Sequence, residues 1–278
     1  MQAYRMYEII IEPGSVNKRY LADIWRFRDL LIFLAWRDIL VRYKQTVFGI
    51  VWAFIRPLVT MLAFTFVFGR LAKLPSPDQV SYSLMVLVGT VAWQLFASII
   101  TLSSQSLIID KAMISKIYFP RIIIPLSAIS SPLIDFAVSL VFVAFMMFFM
   151  GSSLTYSILL FPVFLILSFI TAIGIGTWLG ALNVRYRDFR EVTPFLIQFG
   201  IFISPVGYVS EIVPENLRLL YSINPVVGII DGFRWCFLGA DFNLFLPGFF
   251  VSMASASIIF ILGVSYFRKT ERTFADVI

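Results

Sequence analysis

Residues 35–58 read AWRDILVRYKQTVFGIVWAFIRPL. The stretch opens as a charged, aromatic segment and closes inside a long apolar run. Arg37, Asp38, Arg42 and Lys44 stand immediately before that run, which starts at Val47. A basic cluster beside ~20 apolar residues fixes the side of a membrane on which a chain starts. The same charges offer a soluble partner something to push on. This junction decides the fold class: an all-α chain that crosses a membrane.

Upstream, Leu21, Trp25, Ile32, Trp36, Ile39 and Tyr43 recur at spacings that keep them on one helical face, with Arg26, Arg37 and Lys44 opposite. A basic helix edged with Trp and Tyr just before a span is expected to lie in the membrane interface. An amphipathic helix packed on protein gives the same pattern.

Downstream, the apolar runs predict six spans at about 47–69, 82–106, 132–150, 156–182, 195–213 and 246–267. They leave residues 1–46 as an N-terminal segment and 268–278 as a tail. Ile122–Met150 is too long for one straight crossing, and Pro125 and Pro132 predict a break that sets Ile122–Ser131 apart as a short helix. Hydrophobic residues make up 60% of the 278, and charged residues only 14%, which leaves too little polar surface for a soluble domain.

The net charge of +6 follows membrane topology rather than a nucleic-acid surface. Segment 1–46 carries Arg5, Lys18, Arg19, Arg26, Arg28, Arg37, Arg42 and Lys44. Loop 107–121 adds Lys111, Lys116 and Arg121; loop 183–194 adds Arg185, Arg187 and Arg190; the tail adds Arg268, Lys269 and Arg272. Those seventeen of the 22 basic residues fall on one side, with Arg70, Lys73, Arg218 and Arg234 on the other and Arg56 within the first span. The positive-inside bias then places both termini in the cytoplasm, in keeping with an even number of spans. The first 46 residues alternate charge and aromatics, unlike a cleavable signal peptide.

Segment 214–245 fits neither span nor loop. Leu217–Ile223 and Val226–Leu238 are each too short to cross, are separated by Asn224-Pro225, and the second holds Asp231 and Arg234 three residues apart. Two short re-entrant or interfacial helices forming an extracytoplasmic lid are expected; a surface hairpin is the alternative.

Several chemistries are excluded. There is no histidine, so no imidazole metal site or histidine-based triad, and Cys236 alone allows no intrachain disulfide. No Gly-Lys pair exists, so ATP has no phosphate loop here. The cytoplasmic acids Asp110, Asp188 and Glu191 lack a paired-carboxylate spacing, which argues against a membrane-embedded glycosyltransferase. Arg56 and Asp135 lie within predicted spans, where facing lipid is expensive. They are candidates for a polar lining or hinge at a cytoplasmic gate, or for a buried structural pair. Gly176-Thr-Trp-Leu-Gly180 is a GxxxG that serves either packing within the subunit or a dimer contact. Loop 107–121 reads as helical up to Tyr118, and loop 183–194 has Asn183 as a possible N-cap with a stop at Pro194.

The chain resembles the permease subunit of ABC-2 type exporters, in the branch moving O-antigen, capsule and teichoic acid polymers. The match is carried by Trp36-Arg37-Asp38-Ile39, by Val41-Arg42-Tyr43-Lys44-Gln45-Thr46 and by Gly49 through Pro57. Lys116-Ile-Tyr-Phe-Pro-Arg121, Ile124-Pro-Leu-Ser127 and Asn183-Val-Arg-Tyr-Arg-Asp188 continue it. Asn224-Pro225, Asp231-Gly-Phe-Arg234 and Arg272-Thr-Phe-Ala-Asp276 complete it.

The resemblance implies a six-span permease, itself not an enzyme, that works as a homodimer in the inner membrane of a bacterium. Two copies of a separate ATPase subunit would bind ATP and magnesium, and this chain would hold no cofactor. A lipid-linked glycan would be the cargo, with a drug or lipid as the alternative within the same fold. The resemblance puts Arg37, Arg42, Lys44, Asp110, Lys111, Lys116, Arg185, Arg187 and Asp188 at the ATPase contact. It puts Arg56, Asp135, Asp231 and Arg234 at the channel or gate, with Phe48, Trp52, Tyr82, Trp93 and Phe96 as aromatic candidates for contact with sugars.

Overall fold

The structure is a computed structural model describing residues 20–44, 49–75, 80–152, 155–186, 188–239, 242 and 244–274, without the side chain of Leu21. Among these residues every regular element is helical. Five helical segments are long and apolar enough to cross a membrane: Val51–Leu71, Tyr82–Ile109, Ile123–Phe149, Tyr156–Arg185 and Leu246–Thr273. The chain is therefore an all-α polytopic membrane protein.

Two helices open it, α1 (Tyr20–Arg26) and α2 (Arg28–Lys44). The predicted stripe divides between two environments. Leu34 is buried, with Ile24, Phe27, Leu30 and Leu31 packed beside it, whereas Trp25, Ile32 and Trp36 face outward. The aromatic edge is thus the free face, as an interfacial helix requires. The first span, α3 (Val51–Phe64), continues as a π-helical turn over Thr65–Leu71. Pro57 interrupts it and leaves the Ala53 carbonyl without its helical donor. The Ser139 hydroxyl donates to that carbonyl at 3.0 Å.

The centre of the subunit is α4 (Tyr82–Ile109), 28 residues long. In its most apolar stretch 78% of residues are buried, against 17–33% in the other four crossing segments, so the rest of the bundle packs around it. Short helices α5 (Lys111–Ile114) and α6 (Ile123–Ser127) follow, then α7 (Ser130–Phe149). The break expected around Pro125 and Pro132 falls at Ala128-Ile129. In loop 107–121 the helix ends at Ile114 rather than Tyr118.

A 3-10 turn (Tyr156–Leu160) leads into α8 (Phe161–Arg185), which lies between α4 and the last helix, α12 (Leu246–Thr270). Glycines set both crossings. A Cβ on Gly176 would stand 2.8 Å from Ser103 Cβ of α4, and one on Gly263 would stand 2.1 Å from the Gly174 oxygen of α8. The small-residue motif therefore serves packing within the subunit.

The fifth predicted span, 195–213, takes another form. Helix α9 (Phe189–Ile203) runs through Pro194 and has only 15 residues. Ser204 is extended, as a residue before proline prefers, and residues 204–209 are non-helical. Asn183 belongs to α8 and donates from Nδ2 to the Ser104 oxygen at 2.8 Å, so it is no N-cap. Two short helices follow where expected, α10 (Glu215–Tyr221) and α11 (Pro225–Leu238). Asn224 caps α11 by accepting from the Val226 amide at 3.1 Å, Pro225 occupies the first turn, and Gly239 at φ 78° ends it.

Candidate functional site

Two constellations of charge lie at opposite ends of α4. One joins α2 to the start of loop 107–121 and to α7. Arg37 donates from Nη1 and Nη2 to the two Asp110 oxygens, each at 2.8 Å, and its Nε reaches Asp38 at 3.0 Å. These hydrogen bonds, Asp110 foremost, raise the Arg37 guanidinium above its ordinary range, so it stays charged. One turn on, Arg42 pairs with Asp135 of α7, and the Tyr43 hydroxyl donates to the same carboxylate at 2.6 Å. The Ser130 hydroxyl donates to the Ala35 oxygen at 3.2 Å. Helix α2 is thus tied to the third crossing segment by side chains on successive turns.

This corrects the pairing considered for Asp135, whose guanidinium partner is Arg42 and not Arg56. Arg56 is exposed on α3 and shares a cavity of about 90 Å³ with Asp135, Gln94, Ser98 and Ser139. Pro57 turns the buried face of α3 toward Ala53 and Met61, leaving Arg56 beside it on the rim. Arg42 faces inward rather than toward solvent.

The platform beneath has its own small core of Leu34, Leu107, Ile114, Phe119, Ile123, Phe267 and Phe274. Tyr20 of α1 donates to Glu271 at 3.0 Å, Arg268 lies 4.4 Å over the Tyr20 ring, and Arg121 donates to the Glu271 carbonyl. Lys44, Lys111, Lys116, Arg185 and Asp188 are exposed around this platform. Arg187 and Phe48 lie outside the described residues, as do Gln45, Thr46 and Asp276 of the motifs quoted above.

The second constellation centres on Arg234 of α11, which is fully buried. Its Nε donates to the Met85 oxygen at 3.2 Å, Nη1 to Tyr208 at 2.8 Å and Nη2 to Val206 at 2.8 Å. The Tyr82 hydroxyl donates to the next carbonyl, Gly207. Buried backbone outside a helix must find partners, and here side chains of α4 and α11 supply them. Gly89 makes the room, since a Cβ there would come within 2.8 Å of Arg234 Nη2.

The pairing expected on one helix face is loose. Asp231 Oδ1 stands 4.0 Å from Arg234 Nη1, and Oδ2 accepts instead from the Ser210 hydroxyl at 2.5 Å. Burial pushes the Asp231 carboxyl up to about 6, against the opposing pull of Arg234 and Ser210. Neither Asp231 nor Arg234 is exposed, so both hold the lid together from inside.

Of the aromatic candidates, Tyr82 is half-buried at the lid, and Trp52 is half-exposed on α3. Trp93 and Phe96 are buried in the core, because α4 is the central post and both its faces are covered; Trp93 lies under Gly200 of α9. Sequence reasoning passed over Ser139, Tyr208, Ser210 and Glu271. Lone hydroxyls and a tail acid carry no spacing signal, and their roles arise only from contacts across the bundle.

Comparison with known proteins agrees with this architecture. The model of the ABC-2 type transporter family matches residues 29–238, from α2 through the lid helix α11. Two proteins of Klebsiella pneumoniae, each named O-antigen export system permease protein RfbA, are 29% and 26% identical to the chain. The first alignment covers 90% of this chain and 95% of the relative, the second 95% and 100%. A Myxococcus xanthus protein of the same name is 25% identical over 94% of this chain and 99% of its own length. With the matched region running through both constellations, the chain belongs to the ABC-2 type transporter family.

Proposed function

We propose that this chain is the transmembrane permease subunit of an ATP-driven exporter that moves a lipid-linked, O-antigen-like polysaccharide across the inner membrane of a bacterium. The observation that carries the reading is likeness along nearly the whole chain to permeases named for O-antigen export. Two copies form the channel, and two copies of a separate ATPase subunit bind ATP and magnesium and supply the force. Both termini are cytoplasmic, which puts the Arg37–Asp110 platform on the ATPase side and the Arg234 lid on the outer side.

The geometry supports a mechanical sequence. An ATPase pressing on the exposed segment around Lys111 and Lys116 moves Asp110, and Arg37 passes that displacement to α2. Arg42 and Tyr43 pass it to Asp135 of α7, next to the cavity that Arg56 borders. Opening the outer end then requires α11 to withdraw Arg234 from the carbonyls of residues 206 and 208.

The test is reconstitution with the cognate ATPase and a lipid-linked glycan in vesicles. ATP-dependent appearance of glycan on the far face, read by a lectin or glycosidase, is the expected result. No glycan movement, with transport of an unglycosylated lipid or drug instead, overturns it.

A further inference from the structure

A pocket of about 300 Å³ lies between α10, α11 and the start of α12, and it borders the second constellation through Asp231 and Ser210. Its size suits one small-molecule ring, and its lining is mostly apolar with a few placed polar groups. Phe245 at the N-cap of α12, Phe249 within α12 and Tyr221 of α10 offer ring surface. Ser210, Glu211, Arg218 and Asp231 offer polar atoms.

Those polar atoms call for donors. Asp231 is nine-tenths buried, and its Oδ1 has no hydrogen-bond partner among the described residues. A carboxylate oxygen left so is costly and accepts only. Two of the five Arg218 N–H donors are engaged, Nε by the Val213 carbonyl at 2.9 Å and Nη2 by the Glu211 carbonyl at 2.8 Å. A phosphate or carboxylate ligand would meet two acids, Asp231 and Glu211, beside that guanidinium. The charges nevertheless balance: Asp231 and Glu211 face Arg218 in the lining and Arg234 directly behind it. A balanced pocket gives a cation little advantage. The remaining chemistry is a neutral ring rich in hydroxyls, which donates to carboxylates through its edge and lays a C–H face on aromatic rings.

We infer that this pocket is a sugar subsite on the lid, holding one neutral pyranose by its hydroxyls on Asp231 and Glu211 and by its face on Phe245 and Phe249. The inference rests on the glycan-export reading and adds a place where a sugar unit is held beside the outer gate. Phe245 is partly exposed at the mouth, so its side chain is removable without opening the core.

The experiment uses the full-length permease in nanodiscs, with ligand-observed saturation-transfer NMR against methyl glycosides of glucose, galactose, mannose, rhamnose and N-acetylglucosamine. At least one glycoside is expected to bind, weakened about tenfold by Phe245→Ala and by Asp231→Asn, with Phe148→Ala, an exposed side chain that does not line the pocket, as the unaffected control. Thermal unfolding of each variant separates lost binding from lost fold, and Glu211→Gln, at an exposed position, repeats the test if Asp231→Asn unfolds. Equal affinity in the folded variants, or no glycoside binding at all, overturns the subsite. Choline or inorganic phosphate binding in place of the glycosides, with the same dependence on Phe245 and Glu211, overturns it too. The glycan-export reading fails separately: in that case the reconstituted wild-type complex moves no glycan whether or not glycosides bind.

Discussion

The two ends of α4 hold charge in different ways. At the platform, side chains meet side chains: Arg37 with Asp110 and Arg42 with Asp135, all four partly exposed. At the other end, one buried guanidinium meets backbone, closing two carbonyls of the non-helical segment 204–209 and one of α4 itself. The ends stand about 40 Å apart on a 28-residue helix rising ~1.5 Å per residue. The difference teaches what each end can do. Pairs that keep some contact with solvent exchange partners more readily than a fully buried one, so the platform can shift and re-form. A buried arginine on carbonyls resists release, so the lid holds until something pulls it.

The contrast fails most visibly if Arg234 is dispensable. Arg234→Met leaves the carbonyls of Val206 and Tyr208 without their donor, removes the third hydrogen bond, to Met85, and takes the paired cation away from the Asp231 carboxylate. Removing one partner of a buried charge cluster costs about 3–5 kcal/mol, so the folded yield should collapse in fluorescence-detected size-exclusion chromatography. A monodisperse Arg234→Met protein would remove the lid's side of the comparison.

The next effect in size concerns packing common to both ends. Gly263→Val drives a side chain into the Gly174 carbonyl of α8 and should destabilise by about 1–3 kcal/mol, read as a lower unfolding temperature.

Asp135→Asn sharpens the platform side. It keeps the shape, weakens the hold of Arg42 and Tyr43 on α7, and should cut glycan export several-fold while the ATPase still co-purifies. Export at the wild-type rate would mean that force reaches the spans by another route.

Asp231 gives the lid end a pH signature. Its carboxyl is raised from 3.8 to about 6 by burial, so the native state keeps a proton the unfolded chain has lost. The stability it contributes is fully present below about 3.8 and is lost as pH rises through about 6. Unfolding temperature should fall across that window in the wild type and stay flat in Asp231→Asn. Smallest is the Arg37–Asp110 pair, whose double-mutant cycle should give about 0.2–1 kcal/mol for stability, its importance showing in ATPase coupling instead.

Much of this was legible in the chain. The crossing segments near 47–69, 82–106, 132–150, 156–182 and 246–267 follow from apolar run length alone. The break near Pro125 and Pro132 and the paired short helices of 214–245 follow from proline placement and insufficient length. Within 195–213 the helix stops at Ile203, short of the predicted bound, because apolar composition looks the same in a helix and in buried irregular chain. Only Ser204-Pro205 hinted at the stop, and Arg234 and Tyr82, both far away in sequence, make the irregular backbone tenable. The partner of Asp135 was misassigned for a related reason. Arg56 shares its membrane depth by sequence, but helix rotation presents Arg42, and rotation is set by packing. Trp93 and Phe96 looked available as aromatics on a span; that α4 is covered all round is a property of the assembled bundle.

The Tyr20–Glu271 contact bears on how the protein is made. The two residues are 251 positions apart, and Phe274 completes the same small core as Leu34. A ribosome releases the N-terminal helix long before its partner exists. The platform therefore closes last, after the final helix has been inserted and its tail has returned.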